Sequence, residues 1–100
     1  MDHRRDQLEL IQILRAHLPE LRQRFSVRAL ALFGSYARGE AGEESDVDLL
    51  VEFERVPGLI AFVELEQYLS DLLGVKVDLV LKDALRPTIG QRILKELVPV

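Results

Sequence analysis

Apolar runs of two kinds alternate along this chain of 100 residues, and their periods separate strands from helices. Val27–Phe33 and Val47–Phe53 are dense in branched and aromatic residues and are bounded by polar or glycine-containing stretches, as strands are. Residues 75–81 alternate: Val75, Val77, Leu79 and Leu81 fall on one face, and Lys76, Asp78 and Val80 on the other. Over residues 2–17 the spacing of Leu8, Ile11, Leu14 and Leu18 makes one helical stripe. Pro19 is expected to end that helix and open a short second one through Phe25, because proline suits a helix's first turn and not its middle. Pro57-Gly58 introduces a further helix to Leu73, with Ile60, Val63, Leu69 and Leu72 inward and Gly74 as its stop. Pro87 precedes a last helix over residues 88–97, and residues 98–100 read as extended.

Neither repeats, linkers nor low-complexity stretches interrupt this series, so the expectation is one domain over residues 1–100. That length suffices for one core. A hydrophobic content of 48% with 30% charged residues is ordinary for a folded chain and excludes a disordered tail. Cysteine is absent, which removes disulfide frameworks and thiolate metal sites. The N-terminus, Met1-Asp2-His3-Arg4-Arg5-Asp6, is charged and no apolar run is long enough to cross a membrane, so a cytoplasmic location is expected. The formal net charge of −4 argues against non-specific binding to nucleic acid, which needs basic surface. Arg22, Arg24 and Arg28 cluster locally but lack interleaved aromatics, and read as solvated surface or a partner contact.

Chemistry concentrates between the first two strands. The run Val27–Phe33 stops at Gly34-Ser35, and Tyr36-Ala37-Arg38 can begin a helical turn. A strand ending this way presents free backbone N–H groups and a hydroxyl to phosphate oxygens, and Arg38 adds a forked donor one turn later. Downstream, Asp46 and Asp48 open the second strand. Residues two apart on a strand point the same way, about 6 to 7 Å apart. Two such carboxylates repel and lose hydration together, which calls for a cation; oxygen-only ligands favour Mg²⁺ or Mn²⁺. An isolated Asp-x-Asp is more often a polar turn leading into a strand, so the weight lies in the combination. Two other phosphate motifs fail. Gly34 and Gly39 bracket four residues as in a P-loop, but Glu40-Ala41 replace the required Lys and Ser/Thr, and Gly34-Ser35-Tyr36 lacks the second glycine of a dinucleotide fingerprint.

Phe33-Gly34-Ser35, ten intervening residues and Asp46-Val47-Asp48-Leu49 together resemble the signature of the DNA polymerase β-type nucleotidyltransferase superfamily. Gly34-Ser35-Tyr36-Ala37-Arg38-Gly39 with Ser45-Asp46-Val47-Asp48-Leu49-Leu50-Val51-Glu52-Phe53 is similar, more closely, to the minimal nucleotidyltransferases, the MNT-type antitoxins. The resemblance covers nearly the whole chain. It implies an α+β fold, a small mixed sheet of at least three strands with helices on one side. It also implies a third carboxylate on a neighbouring strand, which Asp78 supplies.

The resemblance further implies a Mg²⁺-dependent transfer of NMP, AMP from ATP in the first instance, to a hydroxyl. Asp46 and Asp48 would hold two Mg²⁺ ions bridging the triphosphate, and Asp78 would complete the ion facing the acceptor hydroxyl and could also take the hydroxyl proton. Gly34 and Ser35 would hold the β- and γ-phosphates, with Arg38 offsetting charge on the leaving pyrophosphate. The implied partner is a HEPN-family toxin carrying the acceptor tyrosine, and the implied role is that of antitoxin. Two alternatives stand beside this: a binding-only antitoxin that masks its toxin, and a small-molecule nucleotidyltransferase of the antibiotic-modifying kind.

Overall fold

The computed structural model describes residues 6–42, 44–85 and 87–100. Its elements are helix α1 (Gln7–Phe25), strand β1 (Val27–Phe33), helix α2 (Gly34–Arg38), strand β2 (Val47–Phe53), helix α3 (Leu59–Leu73), strand β3 (Val77–Leu81), helix α4 (Pro87–Lys95) and the short strand β4 (Val98–Pro99). The strands form one sheet in the order β3-β2-β1-β4. β1 runs antiparallel to β2 and to β4, while β2 and β3, joined through α3, are parallel. The sheet is therefore mixed, and the fold is α+β.

Helices α1 and α3 cover one face. Leu10, Leu14 and Leu21 of α1 and Leu65, Leu69 and Leu73 of α3 are fully buried against Val27, Leu32, Val47, Leu49, Val51 and Val77. At the far end of this layer the Phe25 and Tyr68 rings stand 5.5 Å apart, and the Tyr68 hydroxyl donates to Glu20.

Strands β1 and β2 have the expected bounds, and the third strand is two residues shorter than its alternation suggested. Helical faces depart further from the sequence reading. α1 is continuous from Gln7 to Phe25 with Pro19 inside it, where two helices were expected. Pro19 is exposed, and the leucines on either side of it, Leu14 and Leu21, are both locked into the core. Tertiary packing thus holds the helix across the hydrogen bond that proline removes. The part of the expected first helix before Asp6 lies outside the described residues. Leu8, placed inward by its spacing, is 62% exposed, and the buried stripe is Leu10, Ile11, Leu14 and Leu21. In α3, Ile60 and Val63 also point to solvent, while Leu69 is buried as expected, joined by Leu65 and Leu73. Gly74, with φ +70°, ends α3 as expected.

β1 carries an irregularity that strict alternation conceals. The register with β2 shifts between Val27 and Ala29, a bulge that lets Val27, Leu30 and Leu32 all face the core. Edge strand β3 is tied down by side chains of α3. Ser70 Oγ accepts from the Val77 N–H at 2.9 Å and the Glu66 carboxylate accepts from the Leu79 N–H at 2.9 Å. These contacts satisfy groups that an open sheet edge would leave free, and they fix β3 alongside β2.

Candidate functional site

The site grows from the end of β1. The chain leaves Phe33 extended and turns at Gly34, whose φ is +74°. A side chain is disfavoured there on conformational grounds, and space forbids one as well: a Cβ on Gly34 would collide with the Asp48 carboxylate Oδ2 and stand 3.0 Å from its Cγ. Glycine is what allows the β1–α2 turn and the β2 carboxylate to lie in contact. Behind the turn, Tyr36 is buried in the core, and the Gln7 side-chain amide donates to the Tyr36 and Ala37 carbonyls at 3.2 and 2.9 Å. α2 is thereby pinned from two sides.

Register then brings the carboxylates together. Asp48 is the partner of Phe33 across the antiparallel pair and of Asp78 across the parallel pair. Directly paired residues point to the same face. Val47, Leu49 and Val51 enter the core, so Asp48 faces away from α1 and α3; likewise Val77 and Leu79 point inward and Asp78 outward. Asp46 lies just before β2, half-buried, with Lys76 Nζ at 3.9 Å. The sequence assigned Asp46, Asp48 and Asp78 to one acidic face, and the register makes Asp48 and Asp78 direct neighbours there.

Electrostatics carry the mark of this crowding. The Asp48 carboxyl is held above the usual carboxylate range, first by loss of hydration and then by the charges of Asp78 and Asp46, with Glu96 adding to them and Arg38 opposing. An acid destabilised by its neighbours' charge is an acid that a cation would relieve. Among the described residues, no three His, Cys, Asp or Glu side chains form a closed set able to hold a metal ion as they stand. The three aspartates are grouped by register and charge, without a preformed cage.

On the other side of the turn lie Ser35, half-buried, and Arg38, exposed. Arg38 Nε donates to Glu40 at 3.0 Å and a terminal nitrogen donates to Glu96 Oε2 at 2.9 Å. The other oxygen of Glu96 accepts from the Gly34 N–H at 3.2 Å. These bonds push the Arg38 guanidinium upward in basicity and hold Glu96 below the usual carboxylate range. Glu96 is the residue that the sequence reading missed. It sits 62 residues from Gly34, in the turn between α4 and β4, and no local pattern marks it.

The chain has relatives among known proteins. The nucleotidyltransferase domain family matches residues 14–100. Protein adenylyltransferase MntA of Thermococcus cleftensis is 55% identical over 92 residues, which span 92% of this chain and 93% of that protein. Among solved structures, one described as a minimal nucleotidyltransferase superposes with a TM-score of 0.80 at 37% identity, over 99% of this chain and all of that one. A toxin–antitoxin structure with AMP-PNP gives a TM-score of 0.69 at 27% identity, over 95% of this chain and 72% of that one. The complex of a tri-AMPylated HEPN toxin of Shewanella oneidensis with MNT antitoxin gives 0.60 at 26% identity, over 93% and 66%. No helix among the described residues is long and apolar enough to cross a membrane.

Proposed function

Because this chain belongs to the nucleotidyltransferase domain family and is homologous to a protein adenylyltransferase, we propose that it transfers AMP from ATP to a tyrosine hydroxyl of a HEPN-family toxin, as the antitoxin of that pair. The observation that carries this reading is the contact of Gly34 with Asp48, with Asp78 paired beside it. It joins an anion-binding turn to a carboxylate cluster within one small surface, which is the juxtaposition that a metal-bound triphosphate requires. The toxin as partner rests on the structural likeness to MNT–HEPN complexes.

In this reading Asp46, Asp48 and Asp78 hold Mg²⁺. The fit is chemical: all three are hard oxygen donors, and the loss of hydration and the neighbouring charges that lift the Asp48 carboxyl are what a divalent cation would offset. Bound Mg²⁺ supplies charge neutralisation across the phosphates and lowers the pKa of the acceptor hydroxyl. The Gly34 N–H, the Ser35 hydroxyl and Arg38 orient the β- and γ-phosphates and bear the negative charge that builds on the leaving group. The acceptor oxygen bonds to the α-phosphorus, the bond to the bridging oxygen breaks, and pyrophosphate departs. Asp78, the outermost of the three, takes the hydroxyl proton. The products are an AMP ester of the toxin and pyrophosphate.

The test is direct. The purified chain is mixed with ATP, Mg²⁺ and the toxin, and the intact mass of the toxin is measured. Added AMP on a tyrosine, absent when EDTA is present, is the expected result. Neutralisation of the toxin with no mass change, and the same neutralisation by the triple Asp→Asn variant, would establish masking in place of catalysis.

A further inference from the structure

Two of the three donors assigned to phosphate are already engaged by an anion from the same chain. The Gly34 N–H and the Arg38 guanidinium, one backbone and one side chain, both converge on the single carboxylate of Glu96, one oxygen each. A carboxylate and a phosphate present similar geometry to such donors. Glu96 owes its position to a second, separate anchor. β4 pairs with the free edge of β1 through Ala31 and Leu32, and the Val100 N–H donates to the Leu30 carbonyl at 3.0 Å. This places the α4–β4 turn beside the end of β1, and the Glu96 side chain reaches Gly34 from there.

We propose that Glu96 is a resident anion in the phosphate seat, exchanged for a phosphate oxygen when nucleotide loads, and therefore a residue that sets nucleotide affinity. The proposal rests on reading Gly34 and Arg38 as phosphate donors, and goes beyond it in naming what the triphosphate displaces. Before loading, the carboxylate keeps Arg38 directed at the turn and partly neutralises it. On loading, its charge must leave, since it would otherwise repel both the phosphate and Asp48. The displaced Glu96 is partly exposed already, so the exchange needs a side-chain rotation and not the release of β4.

The experiment compares the wild-type chain with Glu96→Gln by calorimetric titration of magnesium tripolyphosphate. Gln keeps an acceptor for the Gly34 N–H and its shape, while losing the charge. Tighter binding by the variant, by about five- to tenfold, is expected. Equal or weaker binding overturns the proposal, and a weaker one would make Glu96 a residue that merely orients Arg38. A second readout uses the unaltered protein: the carboxyl ¹³C resonance of Glu96 should shift on adding magnesium tripolyphosphate, and a resonance that stays in place overturns the exchange. AMP transfer scores the underlying reading separately. Transfer with no gain in affinity sinks only the role of Glu96, whereas a gain in affinity without transfer sinks only the activity.

Discussion

The two faces of strand β2 are built on opposite principles. Toward the helices, Val47, Leu49 and Val51 are fully buried among leucines of α1 and α3, and every contact there favours the folded state. On the opposite face Asp48 is pressed against the β1–α2 turn and flanked by the charges of Asp78 and Asp46, an arrangement that works against folding. One face of the strand is wholly apolar, while the other sets the buried Leu50 beside a carboxylate whose ionisation is opposed by burial and neighbouring charge. The contrast teaches where substitution should be tolerated: size matters on the first face, charge and exact placement on the second.

The largest effect expected from breaking this division is on chemistry. Asp48→Asn should lower AMP transfer about a thousandfold, near 4 kcal/mol on the barrier, with an unchanged circular dichroism spectrum. Transfer within tenfold of wild type would detach the carboxylate from the reaction. Next comes the packed face. Leu69→Ala, on a fully buried side chain of α3, should cost about 3 kcal/mol in urea unfolding and leave transfer per folded molecule nearly intact. Gly34→Ala lies at the boundary of the two regimes. It should cost about 2 kcal/mol of stability through its positive φ and the collision with Asp48, and, unlike Leu69→Ala, remove transfer among the molecules that remain folded.

The smallest effect is on the pH dependence of stability. Asp48 has a folded-state pKa above its unfolded value, so its ionisation opposes folding. That penalty is present above the folded pKa and is relieved as pH falls toward the unfolded value. The metal-free wild type should therefore gain stability relative to Asp48→Asn through the acidic range where Asp48 titrates. Thermal melts of both proteins over that range check the sign, and parallel curves would mean that neither burial nor neighbouring charge opposes the ionisation of Asp48.

The same contrast explains what the sequence made legible. Strands β1 and β2 and the site residues between them were readable because their signals are local: an apolar run, a Gly-Ser turn, aspartates two apart, and the alternation that sends Asp78 outward. The helical faces were not. Pro19 looked like a terminus until Leu14 and Leu21 on either side of it proved to share one core, and Ile60 and Val63 fit a stripe that the sheet does not use. The bulge after Val27 and the approach of Glu96 to Gly34 depend on strand pairing, between β1 and β2 in one case and between β1 and β4 in the other. Periodicity along a segment carries no record of which distant segment it will meet.

Asp78 and Asp48, neighbours across two strands, are proposed to share a divalent cation when nucleotide binds. Mn²⁺ titration followed by electron paramagnetic resonance, with a non-hydrolysable ATP analogue present, compares wild type with Asp78→Asn most directly. The wild type should sequester Mn²⁺ only together with the analogue, and Asp78→Asn should weaken this about tenfold or more. Mn²⁺ binding by Asp78→Asn equal to that of the wild type would contradict a shared cation.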